Sequence, residues 1–315
     1  MISLEQEERK GYVVSTEMKK VWQVQLTLVK KLLEVCERHN LRIWADGGTL
    51  LGAVREHGYI PWDDDIDMAM LRPDYDKLVK LAPKEFDHPF FFQCGYTEKV
   101  YPRGWARLRM DGTTAITPSK VFYHTHQGIF VDIFPYDAMP NDETELESLV
   151  ATRNEMIDTM THAAAFDGLH PFRSIGFLKY RNRFCELYKR FEDLFRSHQM
   201  ENCNQVSCVA FIFDPIHFFR DKHWYDDTLY LPFEDVQMPA PSGYDEILTK
   251  QYGDYMTPVQ APSYHGGFWK LDAEKDYVAY LPELKLYIKH YERQRSRQRL
   301  RKLFSKVNRK KTNKL

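Results

Sequence analysis

Apolar positions along the first third of the chain fall into three alternating textures. In residues 17 to about 39, Met18, Val21, Leu28, Leu32 and Val35 recur near helical spacing, and Asn40 is a plausible stop. LRIWAD (41–46) is an apolar strand candidate broken by Gly47-Gly48, after which TLLGAVRE suits a short helix. DIDMAML (65–71) alternates strictly, as a half-buried strand does, and Pro73 opens another helix. Further strands are predicted at 90–95, 105–110 and 128–134, then two long helices at 143–164 and 174–199. An apolar stretch lies at 207–213, and a short helix at 244–253 ends on Gly253. The pattern predicts a mixed α/β core (residues 1–138), a mostly helical part (139–284) and a tail (285–315).

Composition excludes several classes. At 315 residues and 43% hydrophobic the chain can bury a large core. No apolar run approaches the roughly 18 residues of a membrane span. The N-terminal MISLEQEERKGYVV lacks the order of a signal peptide. Five scattered cysteines, an odd number, predict a reducing compartment, so cytoplasm is expected. Cys203 and Cys208 near His198 invite a zinc reading, but a second close Cys or His pair is missing from the sequence. The net charge of −1 conceals a split: from Lys285 onward thirteen Lys or Arg face one acid, Glu292. That tail carries +12 and residues 1–284 carry −13.

The chemistry concentrates in GGTLLGAVREHGYIPWDDDIDM (47–68). On a strand Asp65 and Asp67 share one face, with Asp63 joining it if the strand begins early, while Ile66, Met68 and Met70 face a core. Two carboxylates about 6 Å apart repel by roughly 3 kcal/mol at an effective dielectric of 20, a burden a cation relieves. Oxygen-only ligands favour Mg2+ or Mn2+ over zinc. The plainer reading is a solvated acidic turn, against which the alternation and the Ile-Pro-Trp lead-in count. A calcium loop starting at Asp63 is rejected, because its sixth and twelfth positions are Met68 and Asp74 rather than Gly and Glu. Asp132, alone in the apolar GIFVDIFP, is either a third metal-facing carboxylate or a structural hydrogen-bond acceptor. Two acids spaced i,i+2 with a third on a neighbouring strand fit a two-metal phosphoryl-transfer site. Gly47, Gly48 and Thr49 would then offer a helix N-terminus to a phosphate.

The run GGTLLGAVREHGYIPWDDDIDMAMLRPDY resembles the signature of the LicD/fukutin phosphotransferases. More broadly, Gly-Gly followed by Asp-Ile-Asp resembles the nucleotidyltransferase fold shared with DNA polymerase beta. CERHNLRIWADGG, ARLRMDGTT, GIFVDIFPYDAMP and YDEILTKQYGDYMTP with His265 extend the resemblance over roughly residues 15–270. It implies a nucleotidyltransferase-like mixed-sheet α/β (α+β) core and transfer of a phospho-alcohol from a CDP-linked donor to a sugar hydroxyl, with CMP leaving. The donor it points to is CDP-choline and the acceptor a surface glycan or its lipid-linked precursor. Ribitol or glycerol phosphate, nucleotidyl transfer from an NTP, and an inactive nucleotide- or glycan-binding scaffold are the alternatives.

Carried over by position, Asp65 and Asp67 are the implied metal ligands and Asp132 the third acid, as base or ligand. The family's Arg-His-Lys-Gly is here Arg55-Glu56-His57-Gly58, which keeps Arg55 as a phosphate contact and leaves His57 without a role. Arg107 and Arg109, two apart on one strand face, are phosphate contacts or ordinary strand charges. Trp62, Trp105 and Tyr123 are candidates for a cation–π cage around a quaternary ammonium. His124 and His126 are expected to be structural, and Tyr252, Gly253 and His265 carry no assigned chemistry. In the tail, Leu300, Leu303, Phe304 and Val307 make an apolar stripe on a cationic helix. That suits the inner face of an anionic membrane; a disordered tail is the alternative, and no nucleic acid partner is expected.

Overall fold

A computed structural model of the chain describes residues 1–164, 183–260 and 270–291, with positions 293, 294 and 297, apart from 99, 102, 118–120, 123, 124, 209 and 211–214. A hairpin of Glu7–Arg9 (β1) and Tyr12–Val14 (β2) leads into helix α1, Thr16–Arg38. Ser15 caps that helix, its hydroxyl accepting from the Met18 N–H at 3.2 Å. At the other end Asn40 adopts φ +51° and the Leu41 N–H reaches back to the Cys36 carbonyl at 2.8 Å, so the predicted stop is a left-handed cap. The apolar face of α1, including Val21, Trp22, Leu28, Leu32 and Val35, is buried.

Strand β3 is only Trp44–Ala45, and Gly47–Arg55 forms helix α2. Asp67–Leu71 (β4) begins two residues later than the alternation predicts, which leaves Asp65 in the loop before it. Helix α3 (Arg72–Glu85), β5 (Phe90–Gln93), β6 (Ala106–Met110), β7 (Thr114–Ile116) and β8 (Phe130–Ala138) follow. After α4 (Glu143–Ala164) and α5 (Phe184–Arg196) come β9 (Gln205–Ser207), the short α6 (Pro215–Phe218) and β10 (Arg220–Asp221). A hairpin of β11 (Thr228–Phe233) and β12 (Val236–Pro241) precedes α7 (Tyr244–Tyr252). Lys270–Asp272 (β13) pairs with β7, and residues 281–291 are helical.

Strands β10-β9-β8-β4-β3 lie in that order in one mixed sheet, with β6 also pairing β8 and β5 pairing β6. The sheet therefore draws strands from both sides of residue 138. Strand β8 is its spine: it runs parallel to β4, antiparallel to β6 and β9, and all nine of its residues are buried. A strand covered on both faces tolerates an acid only where a partner stands opposite. No helix among the described residues is long and apolar enough to cross a membrane. All five cysteines are free, and among the described residues the one cluster with metal-ligand spacing is acidic, not cysteine-based.

Candidate active site

Register places the chemistry. Asp67 of β4 is paired with Asp132 of β8, and Asp132 with Arg107 of β6, so one row across three strands reads acid, acid, arginine. Asp132 is 1% exposed and both its oxygens accept hydrogen bonds. Its Oδ1 accepts from Arg107 Nε at 2.6 Å and Trp105 Nε1 at 2.7 Å, and its Oδ2 accepts from Arg107 Nη2 at 2.9 Å. Burial pushes this carboxyl up, but the Arg107 charge and hydrogen bonds outweigh it and hold the group below the usual carboxylate range.

Asp67 has the opposite environment. Burial, then the charges of Asp65, Asp132, Asp46 and Asp63, push its carboxyl well above the usual range. Asp63 is raised in the same way, by burial and by Asp65 and Asp64. Carboxylate oxygens of Asp63, Asp64 and Asp65 all lie within 4.8 Å of one another. So many acids with an all-oxygen donor set fit a hard divalent cation. Asp63, Asp64 and Asp65 have the spacing for it, and Asp67 lies within their electrostatic reach; Arg107 and Trp105 take three of the roughly four acceptor sites of the third expected acid, Asp132.

The acidic loop is pinned from behind by α1. Trp22 Nε1 donates to the Asp63 carbonyl at 3.1 Å and Gln25 Nε2 to the Asp64 carbonyl at 2.8 Å, while Tyr59 stacks on Trp22 with ring centroids 4.4 Å apart. From the front, the Thr49 hydroxyl accepts from the Asp67 N–H at 2.9 Å, tying α2 to β4. Gly47 has φ +50°, and a Cβ there would stand 3.4 Å from Asp67 Oδ2. A Cβ on Gly48 would stand 2.7 Å from Asp63 Oδ2. Both glycines thus admit carboxylates against the start of α2, where unsatisfied N–H groups favour negative charge.

Other sequence candidates lie elsewhere. Arg55 is about 12 Å along α2 from Gly47, given the rise per residue. It pairs with Glu56 at 2.7 Å and donates to the Tyr255 carbonyl at 2.8 Å, tying α2 to the segment after α7. Arg109 is buried, bonded to Gln93 and the Gly128 carbonyl, and turned to the Phe130 ring rather than to the acids. The Trp105 face is covered by the Arg103 guanidinium at 4.8 Å, and Trp62 meets Tyr12 edge-on at 6.1 Å; the third member of the expected cage, Tyr123, lies outside the described residues. His57 adopts φ +53° in the turn after α2, its carbonyl accepting from the Glu234 N–H. His126 pairs with Asp111 at 2.9 Å, while Tyr123, His124, His265 and the stripe at Leu300, Leu303, Phe304 and Val307 lie outside the described residues.

Sequence reasoning missed a second layer. Asp46, the residue before α2, accepts from Arg220 Nη1 and the Tyr136 hydroxyl, each at 2.6 Å, and its N–H donates to the Asp67 carbonyl at 3.0 Å. Gln25 was detectable as a polar residue inside the apolar stripe of α1; Arg220 carried no local signal.

The LicD/FKTN/FKRP nucleotidyltransferase domain family matches residues 40–184, which hold the glycine turn, the acidic loop and the Asp67–Asp132–Arg107 row. Residues 40–184 are a LicD-family domain. Over 228 residues, 70% of this chain and 84% of the relative, the sequence is 27% identical to the lipopolysaccharide cholinephosphotransferase LicD of Haemophilus influenzae. It is 39% identical over 51 residues to the human and mouse ribitol 5-phosphate transferase FKRP, 16% of this chain and 10% of each relative.

Proposed function

We propose that this LicD-domain protein transfers a phospho-alcohol group, phosphocholine foremost, from a CDP-linked donor to a sugar hydroxyl of a surface glycan or its lipid-linked precursor, releasing CMP. The observation that carries the reading is the crowd of acids around Asp67, set against the N-terminus of α2 and bordered by Arg107. Its support from relatives is the cholinephosphotransferase name of the bacterial protein. The ribitol 5-phosphate transferase name of the shorter match keeps ribitol or glycerol phosphate as the second reading.

Asp63, Asp65 and Asp67 would hold Mg2+ or Mn2+, which when bound offsets diphosphate charge and acidifies a hydroxyl. The N–H groups at the start of α2 receive phosphoryl oxygens, and Thr49 fixes Asp67 relative to them. Asp132, held ionised, fixes Arg107 through Nε and Nη2, and Nη1 donates to nothing among the described residues. That Nη1 is offered to the donor phosphate as charge builds on it. Asp132 acts as a positioning residue for Arg107 and not as the base.

The basic tail would hold the protein at the inner face of an anionic membrane, within reach of a lipid-linked acceptor. The small product discriminates the readings: CMP from a CDP-alcohol supports transfer, diphosphate from an NTP supports nucleotidyl transfer, and neither leaves a scaffold.

A further inference from the structure

Tyr252 is the last residue of α7, which Gly253 ends at φ +68°. Its hydroxyl comes to 3.9 Å of a Cβ built on Gly47, the same point that lies 3.4 Å from Asp67 Oδ2. A chain of hydrogen bonds fixes which way that hydroxyl faces. Arg220 is 2% exposed and pairs with Asp46 through Nη1, while its Nη2 donates to Gln251 Oε1 at 2.8 Å. A guanidinium only donates, so the Gln251 amide oxygen must face Arg220 and its Nε2 must face Tyr252. Gln251 Nε2 donates to the Tyr252 oxygen at 3.0 Å. The Tyr252 oxygen is therefore an acceptor there, and among the described residues its O–H donates to nothing. An ordinary phenol keeps its proton at neutral pH, so Tyr252 has an O–H to donate. Tyr252 is 41% exposed, so a ligand can reach it.

From this geometry we infer that Tyr252 is a donor-binding residue whose O–H donates to a phosphoryl oxygen of the CDP-alcohol, with Gln251 and Arg220 as positioning residues that hold the proton outward. The inference rests on the function proposed above and adds a contact from α7, outside the matched domain. An uncharged donor suits this place, since it can approach the crowded acids as well as the phosphate.

The test compares Tyr252→Phe, Gln251→Glu and the double variant of the full chain, by calorimetric titration of CDP-choline with Mg2+ and by CMP release. Tyr252→Phe is expected to weaken binding about tenfold to a hundredfold, the range for losing a hydrogen bond to a charged group, with the melting temperature unchanged. In Gln251→Glu one oxygen stays on Arg220 and the other accepts from Tyr252, turning the proton inward. That variant is expected to lose as much as Tyr252→Phe, and the double variant no more than either. Binding by Tyr252→Phe within twofold of wild type overturns the inference, as does additive loss in the double variant. A wild type that binds CDP-choline but releases no CMP defeats the functional reading alone; one that binds none defeats both.

Discussion

Asp67 and Asp132 are neighbours across two parallel strands, yet they answer to opposite electrostatics. Asp67 is crowded by other acids, whereas Asp132 is neutralised by Arg107 in a pair whose side chains are 2% and 7% exposed. Replacing one member of such a buried pair strands the other charge. Asp132→Asn is expected to cost about 3 kcal/mol, the low end for a broken buried pair because the amide oxygen still accepts. Asp65→Asn and Asp67→Asn relieve repulsion, so without metal they are expected to be as stable as wild type or more so, while losing nearly all turnover. Urea unfolding in EDTA decides it: equal midpoints for Asp67→Asn and Asp132→Asn would refute this division of roles.

At the scale of elements, α5 is docked by a partly buried ionic network. Arg72 binds Asp137 at 2.6 and 3.0 Å, and Arg196 binds Asp76 at 2.7 and 2.8 Å and Glu192 at 2.9 Å. Burial raises the Asp76 carboxyl, but the Arg196 hydrogen bonds and the Arg72 charge outweigh it and the net shift is downward. The stability Asp76 contributes is thus present above its unfolded pKa of about 3.9 and lost as pH falls through the lowered folded value. Asp76→Asn is expected to lower the urea midpoint near neutral pH and to converge on wild type as pH falls below about 4. A constant gap across that range would contradict the linkage. Elements held by local pattern were legible in the sequence: α1 by its apolar stripe, α2 by the glycine pair that opens it, and β4 and β8 by their alternating or apolar runs. The β11–β12 hairpin was not, because prolines 232, 239 and 241 interrupt the strand pattern and its turn is Glu234-Asp235. Glu234 adopts φ +52° and is anchored by Arg9 and by the Tyr59 N–H, contacts that turn chemistry cannot reveal. The acids were legible as a cluster, but Arg220, 174 positions from Asp46, was not.

At the scale of the whole molecule, an acidic body carries a +12 tail. Deleting residues 293–315 is expected to abolish binding to anionic vesicles at low salt and to spare turnover on a short soluble acceptor. Cosedimentation that survives the deletion would remove the tail from membrane attachment. The central claim, phospho-alcohol transfer at the Asp67 site, is tested most directly by incubating the protein with a panel of CDP-alcohols, a glycan acceptor and Mg2+ or Mn2+, and following CMP. CMP release is expected to be highest with CDP-choline, to stop in EDTA and to fall below about a tenth of wild type in Asp67→Asn, a barrier rise of just over 1 kcal/mol. CMP release undiminished by EDTA or by Asp67→Asn, or no CMP from any member of the panel, would contradict that claim.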